Sequence, residues 1–180
     1  MLLVQVLLLA WLFTRVLPRR WHLVAAALSL LSLAPWGEVS PAMALRGLWG
    51  DPSITTVQLL VLALFERTPQ AIARGWRGPA ILTLIALVFY PLSLGMSDWD
   101  PYRLGYQPGL LVALLAVPAL WAWWRGEALW LWLLAVDLVA WSAGMLESAN
   151  LWDTLLDPLL AVALLILTLK NGWRAYKNRT

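Results

Sequence analysis

Apolar residues along this chain come in long runs, and the charges fall in short clusters between them. The runs are about 15 to 20 residues long, the length a helix needs to cross a bilayer. They predict seven helices, over about residues 2–17, 21–36, 52–65, 79–95, 108–124, 128–145 and 158–170. The polar punctuation fits helix ends. Pro18-Arg19-Arg20 stops the first run, Pro35-Trp36-Gly37 ends the second, and Lys170-Asn171-Gly172 ends the seventh. Pro118 is expected to kink the fifth helix. Asp51-Pro52 and Asp157-Pro158 each put a capping acid before a proline, and proline suits the first helical position because its missing N–H has no partner there anyway.

Charge by alternate loops gives an orientation. One side carries Arg15, Arg19, Arg20, Arg67, Arg74, Arg77, Arg125, Lys170, Arg174, Lys177 and Arg179, with only Glu66 and Glu127 against them. The other carries Glu38, Asp51, Asp98, Asp100, Glu147, Asp153 and Asp157, with Arg46 and Arg103. The positive-inside rule then puts the amino terminus outside and the basic tail in the cytoplasm, which requires an odd number of spans. After the first helix, the rest form three consecutive hairpins facing outward. Most of the 14 tryptophans fall near the run ends, as an aromatic belt at headgroup depth would have them. Trp11 is the exception. Two hairpins share an echo: Ser93-Leu94-Gly95-Met96 and Ser142-Ala143-Gly144-Met145 each precede a proline-led helix start, at Pro108 and Pro158.

Composition sharpens this picture. Only 13% of the 180 residues are charged, against about a quarter in a soluble domain. The expected fold is an all-α, polytopic transmembrane bundle forming a single integral membrane domain over residues 1–180, in a plasma membrane, by preference a bacterial inner membrane. Arg19 and Arg20 followed by residues 23–33 imitate a signal peptide, but they come after an apolar run, so the first run reads as a retained helix. No cysteine is present, which excludes disulfide, thiolate-metal and cysteine-nucleophile chemistry. The formal charge of +3 is explained by topology and gives no reason to expect nucleic acid.

Candidate chemistry is sparse. Asp137 stands near the middle of the sixth predicted helix, about nine residues from either end. An acid at that depth costs roughly 2.5–3.5 kcal/mol and should face protein or water. Ala140 and Gly144 share its face, and small residues there let another helix approach. Its candidate polar partners are Gln58, Ser29 and Ser32, and the reading is either a relay for protons or cations, a contact with a partner helix, or a buried protonated acid. Asp98, Asp100, Arg103, Glu147, Asp153 and Asp157 form a possible outer-face cluster that would hold a hard cation or an anionic ligand, or supply an acid/base pair. The plainer reading is turn and cap chemistry, with Arg103 paired to Asp98 or Asp100. Any metal is unknown and no cofactor is expected. The segment "SPAMALRGLWGD" reads as a short interfacial helix around Arg46. His22, the sole histidine, reads as interfacial packing, and "ERTPQAIARGWRGP" as a contact with inner-leaflet headgroups.

No nucleotide loop, nucleophile elbow or zinc motif is present, so the expectation leans away from an enzyme. Three functions remain: a non-enzymatic subunit or assembly partner of a membrane complex, embedded in lipid beside other membrane subunits; a small ion- or proton-coupled transporter using Asp137; and an outer-face enzyme or binding protein for a lipid-linked or anionic substrate using the outer acids.

Overall fold

The computed structural model describes residues 2–65 and 75–178. Glu66, Arg67 and Arg74, and with them most of "ERTPQAIARGWRGP", lie outside the described residues, as does Arg179. The described residues are helical, with no strand beyond an isolated bridge from Trp36 to Val39. Two helical stretches are long and apolar enough to cross a membrane, Arg77–Met96 and Pro158–Lys177, each of 20 residues, or about 30 Å at 1.5 Å per residue. The other apolar helices are shorter, so two of the seven predicted spans have a helix of full membrane-crossing length among the described residues.

The chain divides into two compact units. Unit 1 contains α1 (Leu2–Val16), a 3-10 turn (Arg19–Trp21), α2 (His22–Leu31), α3 (Pro41–Trp49) and most of α4 (Ile54–Leu64). Here α1 packs on α2 and α3. Gln5, fully buried among valines, ties α1 to the end of α3: its Nε2 donates to Gly50 O at 3.1 Å, and its Oε1 accepts from Trp49 Nε1 at 3.1 Å. The segment around Arg46 is helical as expected, with Ser40 accepting from Met43 N and Pro41 in the first turn. Helix α2 is shorter than the predicted 21–36. Its Ser29 and Ser32 hydroxyls donate back to the carbonyls of Ala25 and Ser29, a local bond that competes with the helix ladder, and Pro35 disfavours helical backbone just before it.

Unit 2 contains Ser53–Thr56, the beginning of α4, together with α5 (Arg77–Pro91), α6 (Gly109–Trp124), α7 (Ala128–Ser142), α8 (Leu151–Leu155) and α9 (Pro158–Lys177). Beyond Pro91, α5 continues as a π-helical turn, Leu92–Met96, and a 3-10 turn spans Pro101–Gly105. Helix α9 packs along α5. The pair is antiparallel, because Asn171 Nδ2 donates to Gly75 O at 3.1 Å and the Thr83 and Thr168 hydroxyls meet at 3.1 Å. Helix α6 contains Pro118.

Three boundaries differ from expectation for identifiable reasons. Helix α7 stops at Ser142, not near Met145. Gly144 takes φ +63° there, its N–H reaches Trp141 O, and Met145 N–H reaches Ala140 O, which is the Schellman closure. Gly144 therefore ends the helix and is no part of a small-residue face, whereas Ala140 is buried. Its counterpart in the echo, Gly95, also has left-handed backbone, at φ +88°. Helix α9 continues past the predicted 170 to Lys177, since Asn171 faces inward to its bond with Gly75. Finally, Asp51 does not cap α4. Its carboxylate takes a two-pronged bond from Arg46, 2.8 Å to each oxygen, and Ser53 Oγ accepts from Thr56 N at 3.1 Å instead.

Candidate functional site

The antiparallel pairing of α5 and α9 sorts the charges of unit 2. Arg77, Arg174 and Lys177 lie at one end, and Asp98, Asp100, Asp153 and Asp157 at the other. The acidic end is built from two loops that the sequence places 50 residues or so apart, "SDWDPYRLGY" and "ESANLWDTLLDP". Asn150 Nδ2 donates to Tyr102 O at 3.0 Å, and Trp152 Nε1 donates to Pro101 O at 2.9 Å. The Tyr102 hydroxyl donates to Asp153 Oδ2 at 2.8 Å. The Trp152 ring lies 4.5 Å from that of Phe89 on α5. Gly105 lets the loops close: a Cβ there would stand 1.7 Å from Asn150 Oδ1.

Asn150 has a second role in this arrangement. Its Oδ1 accepts from Trp152 N at 2.9 Å and so starts α8. Asn150, Leu151 and Thr154 are all fully buried. Burial first, and then the hydrogen bond to the negative Asp153, hold the Tyr102 phenol well above the usual tyrosine range, because both disfavour the phenolate.

Beneath the loops, two buried carboxylates hold the first turn of α4. Asp157 is 5% exposed. Its Oδ1 accepts from Leu160 N at 2.9 Å, capping α9 as the Asp-Pro pattern indicates. Its Oδ2 accepts from Ser53 N at 2.8 Å and from the Thr56 hydroxyl. Asp137, 2% exposed, accepts from the Thr55 hydroxyl at 2.6 Å. Neighbouring threonines thus bind neighbouring acids, and one short helical turn is fastened to both α7 and α9. Hydrogen bonds of this kind strengthen where the local dielectric is low.

Of the predicted outer cluster, Asp153 lies in the first turn of α8 and Asp157 just beyond its carboxyl end, and each has a different partner. Asp100 caps the 3-10 turn, accepting from Tyr102 N at 2.9 Å. Asp98 and Glu147 are exposed. Arg103 forms no ion pair with Asp98 or Asp100 among the described residues. It is exposed in the last turn of the 3-10 helix, where a cation is favoured by the unpaired carbonyls. No group of three or more His, Asp or Glu that could hold a metal occurs among the described residues.

Asp137 sits within two turns of the end of α7, since that helix stops early, and so lies nearer the acidic end than its mid-run position suggests. One partner is Thr55, which the sequence reading did not name, while the Ser29 and Ser32 hydroxyls donate to carbonyls of their own helix. Gln58 lies one turn beyond, half-buried on α4. Sequence reasoning missed Ser53, Thr55, Thr56, Asn150 and Tyr102. The signal was present in the run "DPSITT", where three hydroxyl residues open an apolar helix. In unit 1, α1, α2 and α3 frame an apolar cleft of about 620 Å³, lined by Leu9, Phe13, Leu28, Leu31, Trp36 and Leu48 among others. Compared with known proteins, the chain matches no family model, no curated protein and no solved structure.

Proposed function

We propose that this chain is a small multi-pass membrane protein that works as a non-enzymatic subunit or assembly partner of a membrane complex. The two full-length apolar helices and the charge sorting of unit 2 support the membrane part of this reading. The observation that carries the rest is the use made of the acidic groups. Asp137, Asp153 and Asp157 each accept hydrogen bonds from this chain's own backbone or hydroxyls. They fasten helices and loops together, and what the helices present outward is apolar. On α7, Leu133, Asp137 and Ala140 are buried while Trp132 and Val139, at 66% and 65% exposure, face away. That face suits lipid or the apolar helix of another subunit, since helix association in a bilayer works through close packing. The shorter helices would cross within a thinned or tilted arrangement, with the amino terminus outside and the tail in the cytoplasm of a bacterial inner membrane.

The test is a mild-detergent pull-down of the tagged full chain, wild type beside Val139→Trp. A stoichiometric membrane partner retained by the wild type and weakened by the substitution is expected. A wild-type chain that brings down no partner at native expression would sink the subunit role. The buried Asp137–Thr55 bond keeps one second reading in view, an ion- or proton-coupled transporter. That reading requires Asp137→Asn to abolish a measurable flux in vesicles, whereas the subunit reading expects complex assembly without one.

A further inference from the structure

The basic end of unit 2 repeats one local arrangement. Arg77 lies over the Trp76 ring, Arg125 over Trp121 and Lys177 over Trp173, with cation-to-centroid distances of 6.0, 5.4 and 5.7 Å. These pairs share one end of the unit. Asn171 bonds Gly75, which brings the end of α9 to the start of α5. A Cβ on Gly78 would meet the Trp130 ring at 3.5 Å, which brings the start of α7 there as well. A tight turn through Gly126 joins α7 to the end of α6. Arg77, Arg125, Arg174 and Lys177 are all exposed, and Glu127 is the one acid at this end among the described residues.

We propose that this end of unit 2 is a binding surface for anionic phospholipid headgroups, a proposal that rests on the reading that its helices cross a bilayer. The chemistry is complementary on two counts. Stacking uses the face of a guanidinium and leaves its edge N–H groups in plane for phosphate oxygens, which it meets in a two-pronged fashion. Indole rings settle at headgroup depth, so each Trp holds its cation at the level of the phosphates. Near-exclusive positive charge then favours a net-negative headgroup over a zwitterionic one. The acidic end, with its carboxylates and inward-turned tryptophan Trp152, offers nothing comparable.

The experiment uses the full chain reconstituted in phosphatidylcholine vesicles, with spin-labelled phosphatidylglycerol or phosphatidylcholine as probe. The readout is the relative association of the two probes with the protein. Phosphatidylglycerol should be preferred, and Arg77→Gln with Arg125→Gln and Arg174→Gln together should lower the preference about fivefold or more. Glu147→Gln, at the other end, should leave it unchanged. Raising salt on the wild type should also reduce it, which decides the matter even where the triple variant fails to fold. A preference near one, or one unmoved by both salt and the triple substitution, overturns the lipid proposal. A chain that does not float with the vesicles overturns the membrane reading beneath it instead.

Discussion

At one end of unit 2 two carboxylates, Asp137 and Asp157, turn into the protein, and at the other the cations turn out of it. Asp137 and Asp157 are nearly inaccessible and accept from Ser53, Thr55 and Thr56. Arg77, Arg125 and Lys177 lie exposed over tryptophan rings. The side-chain chemistry accounts for the difference. A carboxylate is short and accepts several N–H and O–H bonds, so a pair of helix starts can satisfy it completely. A guanidinium or ammonium on a long stem reaches water or headgroups while its methylenes stay on apolar surface. The acidic end is accordingly where the fold is fastened, and the basic end is where it meets its surroundings.

That contrast is most directly broken at Asp157. Asp157→Ala removes the cap of α9 and leaves Ser53 N–H and the Thr56 hydroxyl without their acceptor. Resistance to unfolding in detergent should drop by about 3 kcal/mol, since buried donors left unpaired cost about 1–3 kcal/mol each. The corresponding change at the other end, Arg125→Gln, should move the same measurement by no more than about 0.5 kcal/mol. Equal losses at the two ends would erase the distinction drawn here.

Gly105→Ala probes the closure of the loops. A Cβ 1.7 Å from Asn150 Oδ1 cannot be accommodated without separating them, and forcing such overlap costs about 1–3 kcal/mol. Limited proteolysis should cut near Asn150 faster in this variant, while the helical circular dichroism stays close to wild type. Unchanged proteolysis would mean the two loops are held by something other than the Asn150 and Trp152 bonds.

The smallest effect is expected at Tyr102, and it depends on pH. The folded chain holds the phenol proton more tightly than the unfolded chain does. The stabilisation is therefore complete below the ordinary tyrosine value of about 10 and is lost as pH rises beyond it. Tyr102→Phe should cost about 1 kcal/mol near neutral pH, because the bond to Asp153 is half-exposed. It should also flatten the decline in stability between about pH 9 and about pH 11. A variant as alkali-sensitive as the wild type would show that Tyr102 contributes nothing to that decline.

The sequence made the helices legible because their signal is coarse. Long apolar runs and Asp-Pro or Gly-containing breaks suffice to locate α1, α5, α6, α7 and the start of α9 to within a few residues, and the shared left-handed Gly95 and Gly144 give the sequence echo a backbone meaning. Lengths were less legible. Asn171 looked like a terminator because a polar residue beside glycine usually is one, and only its bond to Gly75 shows why the helix runs on. The site was least legible of all. Asp157 announces itself as a cap by the proline that follows, but its second oxygen reaches Ser53 and Thr56, and no local pattern contains that information. Asp51 illustrates the converse. It has the same Asp-Pro signature, yet Arg46 claims its carboxylate and leaves the capping to Ser53.

The bond from Ser53 to Asp157 joins positions 104 residues apart. A ribosome must therefore reach Asp157 before Ser53 N–H and the Thr56 hydroxyl have their acceptor. Until then Ser53 N–H and the Thr56 hydroxyl have to find interim partners, while Thr55 needs only Asp137. A chain stopped before Asp157 would keep the Thr55–Asp137 bond but lose the acceptor of Ser53 N–H and of the Thr56 hydroxyl.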